Sequence, residues 1–284
     1  MDIYTLLSRL PVGRFKEPPP VVSVLRLAGV IGARGPLGGM TLAALASQIE
    51  RAFKAPRLEA VALAINSPGG SPVQSALIAK RIRDLAEEKQ VPVIAFAEDV
   101  AASGGYWLAC AADEIYANES SIIGSIGVIS ASFGFPELLQ RLGIERRVHA
   151  AGDRKAMLDP FQGEDPKDVA HLKAIQEDIH ASFQDYVKSR RGARLKGSDE
   201  TLYSGEFWTG RGALELGLID GFGDLRHVLR QRFGEKVRLR PIEAPRPWWR
   251  RLAPSSSRAP GPLDWGSGLL AAVEEQVLWS RFGL

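Results

Sequence analysis

The stretch Ala101-Ala102-Ser103-Gly104-Gly105-Tyr106-Trp107 decides how the rest of the chain is read. Before it lies the apolar run Val91-Pro92-Val93-Ile94-Ala95-Phe96, which reads as a buried strand. After it lies Leu108-Ala109-Cys110-Ala111-Ala112, which reads as a buried helix. Ser103 is therefore expected at a strand-to-helix turn. There its hydroxyl stands at a helix N-terminus, where unpaired N–H groups and the positive end of the dipole favour a developing oxyanion. The paired glycines let a ligand approach the backbone closely. Taken alone, Ser-Gly-Gly is more simply explained by a serine that caps its helix.

The same grammar repeats upstream. Val61-Ala62-Leu63-Ala64-Ile65 reads as a second buried strand and ends in Asn66-Ser67-Pro68-Gly69-Gly70. A helix follows from about Pro72 to Glu88, with Ile78, Ile82 and Leu85 on its core face. Further back, Val21 to Ile31 is strand-like, and Thr41 is placed to cap a helix through Phe53. Downstream, short strands are expected at Glu114–Ala117, Ile122–Ile129 and Glu145–His149, with a short helix from Pro136 to Leu142. Asp165 or Asp168 opens a long helix to about Arg191, and Thr209 and Leu225 begin two shorter ones. Strands alternating with helices imply an α/β fold with a mostly parallel sheet and right-handed crossovers.

Composition places the chain among ordinary globular proteins: 284 residues, 45% hydrophobic and 24% charged. A net charge of +3 gives no footprint for nucleic acid. The single cysteine, Cys110, sits in an apolar context and permits no disulfide within the chain, as befits a reducing compartment. Met1 to Arg9 holds no apolar run long enough for a signal peptide or a membrane span. Residues 1–20 read as a short amphipathic helix and a proline-stiffened linker, 21–240 as the folded domain, and 241–284 as a Pro/Trp/Arg-rich tail with an amphipathic helix.

Two glycine-bearing turns, each after a buried strand, carry the chemistry. At the carboxyl ends of neighbouring strands, N–H groups of Gly69 or Gly70 and of Gly104 can converge on one oxygen. A nucleophilic serine also needs a base. No histidine precedes His149, and His149, His171, His180 and His227 stand in no motif, each more simply structural or solvated. Lysine is the fallback, because desolvation favours its neutral form. Lys155 is the candidate: it follows Gly152, and Met157-Leu158-Asp159-Pro160-Phe161 is placed to cover it with apolar surface.

Four motifs in order now carry a resemblance. They are Ile65-Asn66-Ser67-Pro68-Gly69-Gly70, Ala102-Ser103-Gly104-Gly105-Tyr106-Trp107, Gly124-Ser125-Ile126-Gly127-Val128, and Trp208-Thr209-Gly210 with Gly217-Leu218-Ile219-Asp220. From Val21 to Phe233 the chain resembles the signal peptide peptidase A family, Ser–Lys serine peptidases with a Clp protease/crotonase-type fold. The resemblance implies Ser103 as nucleophile and Lys155, of the short single-unit form, as base in the same chain. It implies Ser125 as the residue that orients the lysine, and Gly104 and Gly70 as oxyanion donors. It implies no cofactor or metal, peptide substrates of signal-peptide-like or unfolded character, and a ring-like homo-oligomer. The chain departs from the family in lacking the usual N-terminal anchor or signal and a duplicated second half.

Two other readings use the same residues. A crotonase-like enzyme acting on coenzyme A thioesters would share the paired-glycine oxyanion hole, though no nucleotide signature accompanies it. A non-catalytic oligomeric scaffold would have an inert site. In the tail, Pro245-Arg246-Pro247-Trp248-Trp249-Arg250-Arg251 sets tryptophan among arginines, a composition suited to a membrane interface. Leu269, Leu270, Val273, Val277 and Leu278 then fall along one side of a helix that docks on a neighbouring subunit or on lipid. The expected location is cytoplasmic, with peripheral contact at the inner face of the cytoplasmic membrane through this tail.

Overall fold

The computed structural model describes residues 19–32, 39–243 and 276–283. Three stretches with little polar alternation form its centre: β1 (Val21–Ala28), β2 (Leu58–Ser67) and β3 (Val93–Ala102), parallel and adjacent. Every residue from Ala60 to Ile65 and from Val93 to Ala97 is buried, as in strands covered on both faces. On one face Leu25, Leu27, Leu63, Ile65 and Ala95 pack against α1 (Leu42–Ala52), α2 (Pro72–Lys89) and α3 (Gly104–Ala109). Thr41 caps α1 and Ser71 caps α2, each accepting an N–H from the first turn.

Beyond α3, β4 (Glu114–Ala117) pairs with the first half of β3, and β5 (Ile122–Gly124) with its end. Then come α4 (Pro136–Arg141), α5 (Pro166–Arg191, capped by Asp165), α6 (Asp199–Leu202), β6 (Phe207–Thr209), α7 (Gly210–Glu215), β7 (Gly221–Phe222), α8 (Leu225–Phe233) and β8 (Arg238–Pro241). The sheet order is β6-β5-β3-β2-β1-β8, with β4 joining β3 to β7. All pairings are parallel except β5 with β6. The α/β fold expected from the strand–helix alternation is the one the chain adopts. The second sheet face, with Val22, Ala60, Ala62, Ile94 and Phe96, is covered by Val228 and Leu229 of α8.

Two expected strands differ. The Ile122–Ile129 strand stops at Gly124, because Gly124 and Ser125 both take positive φ (112° and 52°) and turn the chain out of the sheet. No strand forms over Glu145–His149. That stretch belongs to an arm, residues 129–165, whose side chains are nearly all exposed and whose one regular element is α4. Without a neighbouring strand its backbone has no ladder to join. Residues 1–18 and most of the 241–284 tail, Trp248 and Trp249 included, lie outside the described residues. Within 276–283 the chain is helical over 276–280, and the Phe282 ring meets Phe207 edge-on at 5.1 Å.

The C-terminal half of α5 fixes α3. Phe183 and Tyr186 stack on Trp107 at 4.6 and 5.5 Å, and Tyr106 donates its hydroxyl to the Leu218 carbonyl at 2.8 Å. Cys110, one turn on, is fully enclosed, and burial pushes its thiol up to about 12, so it is an inert part of the core. Below it Arg191, buried, donates to both Asp220 oxygens at 2.7 and 3.1 Å and to the Gly217 carbonyl. Burial acts to raise the Asp220 carboxyl, but the bonds from Arg191 and the Ile115 N–H outweigh it and hold Asp220 below the usual range.

Asp220→Asn leaves Arg191 buried without a counter-charge. We expect a loss of about 3 kcal/mol at pH 7 in urea unfolding. The wild-type advantage is present above the unfolded-state pKa of an aspartate and disappears as pH falls through the depressed folded-state value, so the two proteins converge in acid. A constant difference across that range would remove the charge from this account.

Candidate active site

The ends of β2 and β3 bring the two glycine turns together. Their register slips between Ile65 and Ser67: Ile65 faces Ala97, but Ser67 faces Ala101, so Glu98 and Asp99 bulge from β3. Asn66 holds the bulge. Its Oδ1 accepts the Val100 N–H at 3.2 Å and its Nδ2 donates to Asp99 at 2.7 Å. Ser67, fully buried, donates to the Gly29 carbonyl at 2.7 Å and accepts the Gly69 N–H at 3.2 Å. Ile31 lies alongside, donating to the Gly69 carbonyl and accepting from Ser71, both at 2.8 Å. Neither Asn66, Ser67 nor Ile31 was singled out as a supporting group from the sequence. An Asn and a Ser before Pro-Gly-Gly read as turn composition, and only the register slip reveals their use.

These bonds leave no room for side chains where the turns meet. A Cβ on Gly69 would lie 2.8 Å from Ser103 Cβ and 3.0 Å from Gly104 N. A Cβ on Gly70 would lie 2.0 Å from the Ile31 carbonyl oxygen, and φ of 139° disfavours one in any case. A Cβ on Gly104 would meet Ser75 Oγ at 2.4 Å and Gly70 N at 3.4 Å. The N–H groups of Gly70 and Gly104 thus stand close together, and neither donates to a described residue.

Ser103 is not a cap. Its backbone stands at φ 52°, ψ −121°, and its hydroxyl makes no capping bond to α3. A non-glycine residue in that region is strained, and the strain is held by the Ser103 N–H bond to the Gly124 carbonyl at 2.8 Å and by the packing of α3. A half-buried, uncommitted hydroxyl beside two uncommitted N–H groups has the parts needed for acyl transfer: a nucleophile and donors for the oxygen that gains charge.

Ser125 is brought to the same place by the β3–β5 pairing, in which Ala102 faces Gly124. It is buried, takes φ of 52°, and donates its N–H to the Glu206 carbonyl at 2.7 Å. Its hydroxyl bonds to no described residue. Lys155 is not brought in. It lies on the arm with its side chain exposed, and no hydrogen bond joins it to Ser103 or Ser125. The apolar cover expected from Met157 to Phe161 does not enclose it within one chain, because the arm has no core of its own. His149, His171 and His227 are exposed; His180 is half-buried against the Ile126 carbonyl.

Gly104→Ala should lower kcat by about two orders of magnitude, the cost of displacing one oxyanion donor. It should also lower Tm through the Ser75 clash. Adding Ser75→Ala removes that clash, leaving only the 3.1 Å approach to the flexible end of Ile31, and should recover most of Tm while kcat stays low, because the new methyl still lies 3.4 Å from Gly70 N. Recovery of both would show that the glycine serves packing only.

Comparison with known proteins identifies the family. Over 98% of its length the chain is 50% identical to a Brucella abortus protein named Na(+)/H(+) antiporter NhaA, of which it spans 39%. It is 31% identical to the chloroplastic serine protease SPPA of Arabidopsis thaliana, over 73% of this chain and 31% of that one. The chain therefore spans well under half the length of these two relatives. Among solved structures, a membrane-bound stomatin-specific protease aligns with 80% of this chain and 99% of its own at 16% identity, with a TM-score of 0.46. Residues 86–237 match the profile of peptidase family S49, a range that contains Ser103, Ser125 and Lys155. Matched over more than half of its length, the chain belongs to peptidase family S49.

Proposed function

We propose that this peptidase is a serine endopeptidase that works through a Ser103–Lys155 dyad on signal-peptide-like or unfolded peptides. The observation that carries the reading is Ser103 itself, strained and uncapped, beside the free N–H groups of Gly70 and Gly104. Ser103 Oγ attacks the scissile carbonyl while Lys155 takes its proton. The carbonyl oxygen, now negative, receives the two N–H groups, and Lys155 returns the proton to the leaving amine. Water then hydrolyses the acyl-serine by the same path in reverse order. Ser125, whose hydroxyl is uncommitted, orients the lysine amine.

An amine becomes a base when water is excluded from it. The arm supplies a reason for that exclusion. Ile129, Phe133, Leu138, Leu142 and Ile144 are all more than 50% or at 50% exposed on it, more apolar surface than a free segment presents by chance. Other copies of the chain, assembled as a ring-like homo-oligomer, would cover these side chains and enclose Lys155 near Ser103. No described helix is long and apolar enough to cross a membrane. For location we keep the cytoplasmic face of the membrane, with peripheral contact through the tail.

Ser103→Ala should abolish both peptide cleavage and labelling by a fluorophosphonate probe without lowering Tm. Lys155→Arg should be nearly as inactive, since a guanidinium keeps its proton. The wild-type rate should rise on the basic side as the lysine deprotonates. Cleavage that survives Lys155→Arg but is lost on replacing one histidine would overturn the dyad. Light scattering should give a multiple of 30.9 kDa, and Phe133→Glu with Leu142→Glu should reduce the mass to one chain and the activity with it.

A further inference from the structure

His180 belongs to no part of the site just described, yet it is bonded to the segment that carries Ser125. It lies on α5, half-buried, with Nε2 3.1 Å from the Ile126 carbonyl oxygen. Gln184, one turn on, sets its Nε2 3.3 Å from both ring nitrogens of His180. A carbonyl oxygen only accepts, so it is the Nε2–H of His180 that donates to Ile126.

The Gly124–Gly127 segment leaves the sheet against its own preference, because Ser125 holds a positive φ. Besides the ladder pairing of Gly124, three bonds to described residues keep it there. Gly124 accepts from the Ser103 N–H, Ser125 donates to the Glu206 carbonyl, and Ile126 accepts from His180. The first two are backbone to backbone. His180 provides the one that a side chain makes. It also closes the base of the arm, since the chain leaves the core after Ile126 and returns along α5. Lys155 lies between those two points, and Ser125 immediately precedes one of them.

We infer that His180 is a positioning residue for the dyad: by holding the Ile126 carbonyl it sets Ser125 and the root of the arm that brings Lys155 to Ser103. The inference rests on the dyad reading. His180 touches no reacting atom and acts through its bond to Ile126.

The test compares wild type, His180→Leu and His180→Gln in kcat, KM and the pH–rate profile for one peptide, with Tm measured for each. His180→Leu should lower kcat by about tenfold, the scale of one lost hydrogen bond at a functional geometry, with KM within about twofold. It should also displace the basic-side limb of the pH profile, because the lysine loses its oriented partner. His180→Gln keeps an N–H that reaches the carbonyl and should recover at least about half of the wild-type kcat. If His180→Leu does not fold, His180→Asn takes its place. Its amide is one carbon shorter than that of Gln and falls short of Ile126, so the same loss is expected. Equal kcat for the donor and non-donor variants, or a wild-type kcat with an unmoved limb in His180→Leu, would overturn the role of His180. Ser103→Ala, run in parallel, separates the failures. If it still cleaves, the dyad reading itself is wrong; if it is dead while His180→Leu is unaffected, only the present inference falls.

Discussion

The constraint on which the rest depends is the contact between the end of β2 and the end of β3, where Gly69 stands so close to Ser103 that no Cβ fits between them. Two parallel strands in plain register would not produce it. The bulge at Glu98–Asp99, held by Asn66, advances the end of β3 relative to β2 and sets the turns face to face. Once they meet, Ser103 has no relaxed conformation available, because its N–H is committed to Gly124 and α3 is fixed by Trp107 and Tyr106 from the other side. The strain in Ser103 is thus imposed by packing on both flanks, and the hydroxyl that would otherwise cap α3 is left free.

What could be read from the sequence follows from the kind of signal each feature leaves. The central strands are apolar without interruption, and α1, α2, α5 and α8 carry caps and helical spacing, so their positions were legible to within a residue or two. Glu145–His149 was not, because a short run with β-branched content reads the same whether or not a partner strand exists, and pairing is a tertiary fact. Ser125 marks a similar limit: Ile122–Ile129 has strand composition throughout, but the tertiary bond to Glu206 bends it after Gly124. The setting of Ser103 was legible as a strand-to-helix turn. Its strain was not, since Ser-Gly-Gly has the composition of an ordinary cap.

Lys155 shows a different limit. A lysine among Met, Leu, Pro and Phe looks covered in sequence, whereas in the single chain those neighbours, half-buried at most save for the carboxyl of Asp159, lie along an arm that leaves Lys155 exposed. The arm is internally ordered: Phe133, Phe135 and Phe161 form a ring cluster, Arg146 lies over Phe161 at 4.7 Å and pairs with Asp159, and Arg154 pairs with Asp168 at 2.9 Å. Order without burial leaves apolar side chains uncovered, which is what the proposed contact with other copies would bury.

A lysine base, as proposed, would make that arrangement consequential. Histidine titrates near neutrality with no help, so a histidine-dependent serine can be active in an isolated chain. Lysine has to be desolvated first, and a segment lacking its own core cannot do that alone. Under the dyad reading the chemistry is therefore tied to the covering of the arm: a single chain carries the strained serine and its two N–H groups ready-made, but not a competent base. An unassembled chain would be inactive towards the unfolded peptides around it, and the hydroxyl would gain its nucleophilic power only where the arm's apolar side chains had been buried. The same exposed residues that are costly for a solitary chain would then serve as the condition for activity.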